Sequence, residues 1–192
     1  MKYMKKPIIT LIAVVTTIAS YAQTHLFFKG VPIDGKLSEY ILKMKQNGFT
    51  QMEAEVGVAM FKGDFASYKE CKVLVSTLKD KDLVSKITVF FPVQENWSSL
   101  SSNYFNLKEL LTEKYGQPSE SVEKFSSYEP KSDGSKMSAV HSDNCKYITT
   151  YQTDKGSIQL SINNDDYKAF VALAYVDKIN GGIIRAKAKD DL

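Results

Sequence analysis

Within "DGKLSEYILKMKQNGF", Leu37, Tyr40, Ile41 and Met44 fall at i, i+3, i+4 and i+7. That spacing predicts a helix with one buried face. Asp34 is placed to cap its start and Gly48 to close its end in a left-handed conformation. The same stripe returns in "NYFNLKELLTEKYGQP", with Leu107, Leu110, Leu111 and Tyr115 apolar, Asn103 or Asn106 as cap, and Gly116 with Pro118 as stop. Two short one-sided helices need a sheet to lie across.

Between and after them the apolar period drops to two, which is the strand signature. Met52, Ala54, Val56, Val58 and Met60 alternate up to a turn at "KGD" (Lys62 to Asp64). A strand from about Ala66 to Leu78 ends in "KDKD". "LVSKITVFF" then puts Leu83, Ser85, Ile87, Val89 and Phe91 on one side before Pro92. In the second half "SESVEKFSSY" reads as a strand and "EPKSDGSK" as a polar loop. A further strand runs through Cys145 to Thr153, and Ile158, Leu160 and Ile162 alternate after "DKG". "AFVALAYV" is nearly all apolar, as a central strand should be, and "GGIIRAKAKDDL" suits a last helical turn or two.

The fold class expected is therefore α+β, an antiparallel sheet with helices packed on one face. "CKVLVSTLKDK" from Cys71 and "CKYITTYQTDK" from Cys145 echo one another. Aligning them gives two tandem α-β-β-β units, about 34–92 and 103–177, the second with one strand more. The length difference would then collect in the hairpin loops "KGD" and "EPKSDGSK". Coincidence of strand and turn vocabulary is the alternative.

Composition changes the picture in one place. Lys2, Lys5 and Lys6 precede an uncharged run from Pro7 to Ala19, followed by Ser20 and Ala22 at signal-peptidase spacing. The run is too short for a spanning helix, so residues 1–22 read as a secretory signal peptide cleaved after Ala22. No cysteine lies near that position, which excludes a lipoprotein anchor. The chain has 25 basic and 22 acidic residues, and the leader takes three lysines and no acid with it. The remaining domain, 23–192, is electrically neutral. It offers no charge-based reason to expect nucleic acid or an anionic membrane surface, and no second stretch could span a bilayer. Periplasmic or secreted location follows.

The chemistry is sparse. Cys71 and Cys145 are the only cysteines. In an oxidising compartment they are candidates for one disulfide, the alternative being two separately buried thiols. A Cys145–His141 catalytic pair fails on reach, since residues four apart on a strand stand ~13 Å from one another. His25 and His141 form no zinc spacing, and "NNDD" (Asn163 to Asp166) lacks a calcium loop's spaced carboxylates. No catalytic residue, metal site or cofactor is expected, and non-enzymatic character is the reading. Tyr147, Tyr151 and Tyr175, with Trp97, are the weak binding candidates: a tyrosine-bearing sheet face suits a protein or glycan contact. Burial of that face under the helices is the competing reading.

With its leader ending at Ala-Gln, "FKGVPIDGKLSEYILKMKQNGF", "FPVQENWSSLSSNYFNLKELLTEKYGQP" and "DKINGG", the chain resembles a group of small uncharacterised exported proteins of Bacteroides-type Gram-negative bacteria. The resemblance implies export and attaches no activity. "KYGQP" followed by strands is also similar, in architecture alone, to the helix-plus-sheet modules of β-lactamase-inhibitor-like proteins. The function expected is an exported binding module of the cell envelope that contacts a protein partner or glycan through an exposed sheet face. A small periplasmic hydrolase with a site assembled from scattered residues is the alternative. The intact mass of the protein recovered from a periplasmic or culture fraction is expected to begin at Gln23; a mass retaining Met1 to Ala22 would refute the leader reading.

Overall fold

In order along the chain come β1 (Phe27–Phe28), β2 (Val31–Pro32), α1 (Leu37–Gln46), β3 (Thr50–Glu55), β4 (Val58–Phe65), β5 (Tyr68–Thr77) and β6 (Val84–Phe90), then α2 (Trp97–Tyr115), β7 (Glu120–Phe125), α3 (Asp133–His141), β8 (Cys145–Gln152), β9 (Gly156–Asp165), β10 (Lys168–Asp177) and α4 (Lys178–Asp190). This computed structural model describes residues 24–190 apart from 79 and 127, so the leader lies outside the described residues. The α+β expectation holds. Strands β3 to β10 form one antiparallel sheet in the order β3-β4-β5-β6-β10-β9-β8-β7, and β1 pairs with β2 separately. β3 to β6 follow α1 as a meander and β7 to β10 follow α2 with α3 between β7 and β8, so the second half does not carry one strand more than the first; the two halves meet through β6 and β10.

Strand alternation decides which side is core. Ala59, Phe61, Val73, Val75, Ile87, Val89, Leu173, Tyr175, Ile158 and Leu160 are adjacent in register across five strands, and all are buried. α1 packs over β3–β5 with Leu37, Tyr40 and Met44, and α2 lies over β9 and β10 with Trp97, Leu100, Tyr104, Leu107 and Leu111 inward. At about 1.5–3 kcal/mol for each fully buried large apolar side chain, this layer supplies the main stabilising term. The N-terminal segment completes the layer with Leu26, Phe28, Val31 and Ile33; Phe28 sits 5.3 Å from the Phe65 ring and 5.5 Å from Tyr175.

Five expectations need correction. "KGD" is not a turn: it lies inside β4, and the hairpin turns earlier at Val56 and Gly57, where Gly57 takes φ 82. The next turn is Ala66 (φ 48) and Ser67 (φ 68), with both central residues left-handed as a two-residue hairpin requires. "EPKSDGSK" is only partly loop. α3 starts within it, closed by a capping box between Ser132 and Ser135 and held down by Met137 and Val140. Helix caps also differ: the Asp82 Oδ1, not Asp34, accepts from Leu37 N (3.0 Å), and Asn96 caps α2 by accepting from Ser99 N, so Trp97 opens the helix.

The fifth correction concerns the cysteines. Cys71 lies on the third strand of its half and Cys145 on the second strand of the other. The alignment that equated them is therefore not kept. β6, β10 and β9 stand between β5 and β8, about 19 Å at the usual strand spacing, so no disulfide joins them and both are free thiols. The close approach a disulfide needs is absent.

A buried polar hub ties the chain ends together. Asp177, fully buried at the end of β10, accepts from Leu26 N (2.7 Å) and Asn180 N (2.8 Å) and meets His25 Nδ1 at 3.1 Å. It thus caps α4 and clamps the N-terminal segment at once. Asn180 donates to the carbonyls of Ile33 (3.1 Å) and Val84 (2.8 Å) and to Asp34. Asp177→Ala strands two buried N–H donors and is expected to lower unfolding free energy by about 3 kcal/mol, read as a fall in urea midpoint. Tyr40→Phe is the contrast. The Tyr40 hydroxyl is buried with no partner among the described residues, so its removal is expected to leave stability unchanged or raise it by up to about 1 kcal/mol.

Candidate functional site

The four aromatic candidates do not share an exposed face. Tyr147, Tyr151, Tyr175 and Trp97 are 9%, 1%, 5% and 8% exposed. All three tyrosines lie on the helix-covered side: the Tyr147 ring stands 5.2 Å from Trp97 and 5.6 Å from Tyr104, and Tyr151 donates to the Lys108 carbonyl at 2.9 Å. Their rings fill core, and the Tyr151 hydroxyl is satisfied from α2 by Lys108 and Thr112. Surface contact is excluded for them.

The cysteines are raised in pKa by burial, His25 is paired, and the His141 Nε2 is buried without a partner among the described residues. Burial pushes the Cys71 thiol up to about 11 and the Cys145 thiol up to about 12, the opposite of an activated nucleophile. His25 is held between Asp177 at 3.1 Å and Asp34 at 3.4 Å, one carboxylate to each ring nitrogen, leaving neither nitrogen to reach a substrate. His141 ends α3, its ring 5.8 Å from Tyr167. Among the described residues no group of three or more His, Cys, Asp or Glu side chains could hold a metal ion, and no helix is long and apolar enough to cross a membrane.

One cluster has the residue types of a hydrolase. Lys108 on α2 donates to Ser121 Oγ (3.1 Å) and Glu123 Oε1 (2.5 Å) on β7, while Tyr104 bonds Thr149 Oγ1 (2.6 Å) and Glu123 (3.2 Å). A serine nucleophile would need a neutral lysine as base. Burial works against Glu123 ionising, but hydrogen bonds from Lys108 and Ser121 and the Lys108 charge outweigh it and hold the carboxyl below its usual range. The carboxylate thus stands charged against Lys108, and the cluster serves to fasten α2 to the sheet edge.

The opposite sheet face carries what the aromatic search missed. In register across it run Met60, Leu74, Thr88, Ala174, Gln159 and Thr150, and beside them Lys62, Lys72, Phe90, Ala172, Ser161 and Ile148. At the far end of the β6–β10 seam this face sinks into a groove of about 360 Å³. Phe90 and Phe170, half-buried, form its floor with ring centroids 5.7 Å apart and planes at 78°. Three segments bound it: Met60, Glu70 and Lys72 from β4 and β5, Pro92 and Val93 from the exit of β6, and Asp165 and Lys168 from the β9–β10 hairpin. That hairpin turns tightly through Asp166 (φ 46) and Tyr167 (φ 58), which sets the two charges side by side in register. Glu70 is paired with Lys62 at 2.7 Å. An apolar floor with a few polar groups at the rim is the make-up of a small-ligand site. The sequence did contain the signal: Phe90 and Phe170 are out of phase with Val89, Phe91, Val171 and Leu173, so they had to face the other way.

A wider hollow of about 680 Å³ lies between α1 and the β3–β4 hairpin, under the fully exposed Val56. Asp82 there is already spent on the α1 cap. Compared with protein-family models, with curated proteins and with solved structures, the chain gives no match. The groove's geometry is therefore what the functional reading stands on.

Glu123 yields a pH test with a definite sign. A carboxyl held below its ordinary value stabilises the fold above that value, about 4.3, and the contribution is lost as pH falls through the folded value. Glu123→Gln is expected to lower stability by about 1 kcal/mol at neutral pH, with the gap to the native protein closing in acid. A gap that stayed constant from neutral to strongly acidic pH would show the pair is not ionic.

Proposed function

We propose that the protein is an exported, non-enzymatic binding module of the cell envelope, holding a protein partner or glycan on the sheet face opposite α1 and α2. The observation that carries the reading is the Phe90–Phe170 groove: two large rings half-open to solvent at the centre of an eight-stranded sheet, flanked by charged side chains from β5 and from the β9–β10 hairpin. The leader pattern from Lys2 to Ala22 supports export, and the resemblance to exported proteins of Bacteroides-type bacteria agrees with it. Thiols pushed up by burial, a doubly paired His25 and an ionic Lys108–Glu123 pair favour binding over hydrolysis.

The test is retention of envelope material by the immobilised mature protein, compared with two single variants. Leu74→Lys alters the open face; Leu110→Lys alters an exposed position on α2. Retention is expected to drop at least about tenfold, or 1.4 kcal/mol, for the first variant and to be unchanged for the second. Equal retention by both variants, or turnover of ester or glycoside substrates with nothing retained, defeats the proposal.

A further inference from the structure

Taking the binding-module reading as its premise, we propose that the groove over Phe90 and Phe170 takes one or two rings of a neutral glycan. The floor supplies aromatic surface, on which the C–H face of a pyranose ring can lie against the negative ring quadrupole. The rim supplies both halves of the hydrogen-bonding vocabulary. Lys72 and Lys168 donate only, and Glu70 and Asp165 as carboxylates accept only. A sugar hydroxyl both donates and accepts, so it is matched by such a mixed rim. A ligand anion would meet Glu70 and Asp165 unfavourably, and a ligand cation would meet the two lysines. The volume, about 360 Å³, sits at the small end of ligand cavities and excludes a long extended segment.

The sheet itself gives a second line of support. Lys62 and Lys72 are directly opposed in the β4–β5 register and lie on the same face. Like charges so placed destabilise a pair of strands. Glu70 answers Lys62 but leaves Lys72 projecting toward the groove. Lys72 therefore sets a hydrogen-bond donor beside the aromatic floor.

The experiment is a titration of the mature protein with maltotriose, cellotriose, mannotriose and N-acetylchitotriose, followed by methyl and amide NMR shifts. Saturable shifts at Met60, Phe90 and Phe170 with at least one of these sugars are expected. Affinity should fall at least about tenfold in Lys168→Ala and in Asp165→Asn, which alter exposed side chains only. Phe170→Leu keeps an apolar floor and removes the ring. It should abolish the shifts while leaving the thermal midpoint close to the native one. Failure of all four sugars to shift the groove, with a protein partner still lost on Leu74→Lys, overturns the glycan assignment and leaves the binding module standing. Failure of both measurements overturns the two together. Shifts confined to other surfaces, or unaffected by Phe170→Leu, also overturn the assignment.

Discussion

The antiparallel pairing of β6 with β10 is the joint on which this architecture depends. Five residue pairs form it, Lys86–Val176 through Phe90–Ala172. Without it each half would end in its most apolar strand, "VSKITVF" in one and "KAFVALAYVD" in the other, as an open edge. Unpaired edges of that composition template aggregation. Joining the two edges buries both and leaves β3, "TQMEAE", and β7, "ESVEKF", at the outside. Those carry the charges that discourage further pairing. The seam thus makes one sheet from two and also chooses which strands face water. The groove follows from the same choice, because Phe90 and Phe170 meet only where the two halves do.

The ends of the chain are secured by a different force. The N-terminal segment contributes four buried apolar side chains but only a two-residue strand pair, too little ladder to hold it in register. Asp177 supplies the fixing. Its side chain is wholly out of water, where two backbone N–H groups and His25 surround it, the condition under which a buried polar group is tolerable. Asn180 does the same for two carbonyls with its side-chain amide. Burial places the segment; polar satisfaction specifies where.

Much of the fold was legible from periodicity, and the failures have identifiable causes. The stripe at Leu37–Met44 and the alternation at Ile158–Ile162 depend on burial of one face, which the sequence records directly, whereas in the Leu107–Tyr115 stripe Leu107 and Leu111 are buried and Leu110 turns out to solvent. Val56 has the β-branching and phase of a strand residue, yet it sits fully exposed at a hairpin tip; the positive φ belongs to Gly57 beside it. The turn at Ala66 and Ser67 has neither Gly nor Asn, so nothing local announced it. α3 was hidden because its capping box uses serine at both positions, rather than the usual Glu or Gln at the third, and because only Met137 and Val140 among its residues are fully buried. The cysteine echo misled since both segments are genuine strands with similar turns, one strand out of step.

The tyrosine error is the most instructive, because alternation reveals which residues share a face and is silent on which face is covered. Tyr147 and Tyr151 do share a side, but α2 covers it, and the hydroxyls that suggested a wet surface are taken by Lys108 and Thr112 for Tyr151. Tyr151 can be buried here because α2 brings partners for its polar tip. Phenylalanine needs no partner, so its burial is limited only by space, and a half-open Phe signals that nothing covers it. Phe28 and Phe61 are accordingly buried on the helix-covered side, while Phe90 and Phe170, on the uncovered face, are left at the solvent boundary. At that boundary a Phe pair gains nothing from water and has no hydroxyl to offer. Rings set there among four charged side chains are poor surface and good floor, and that contrast makes the groove the functional candidate rather than the tyrosine-rich side.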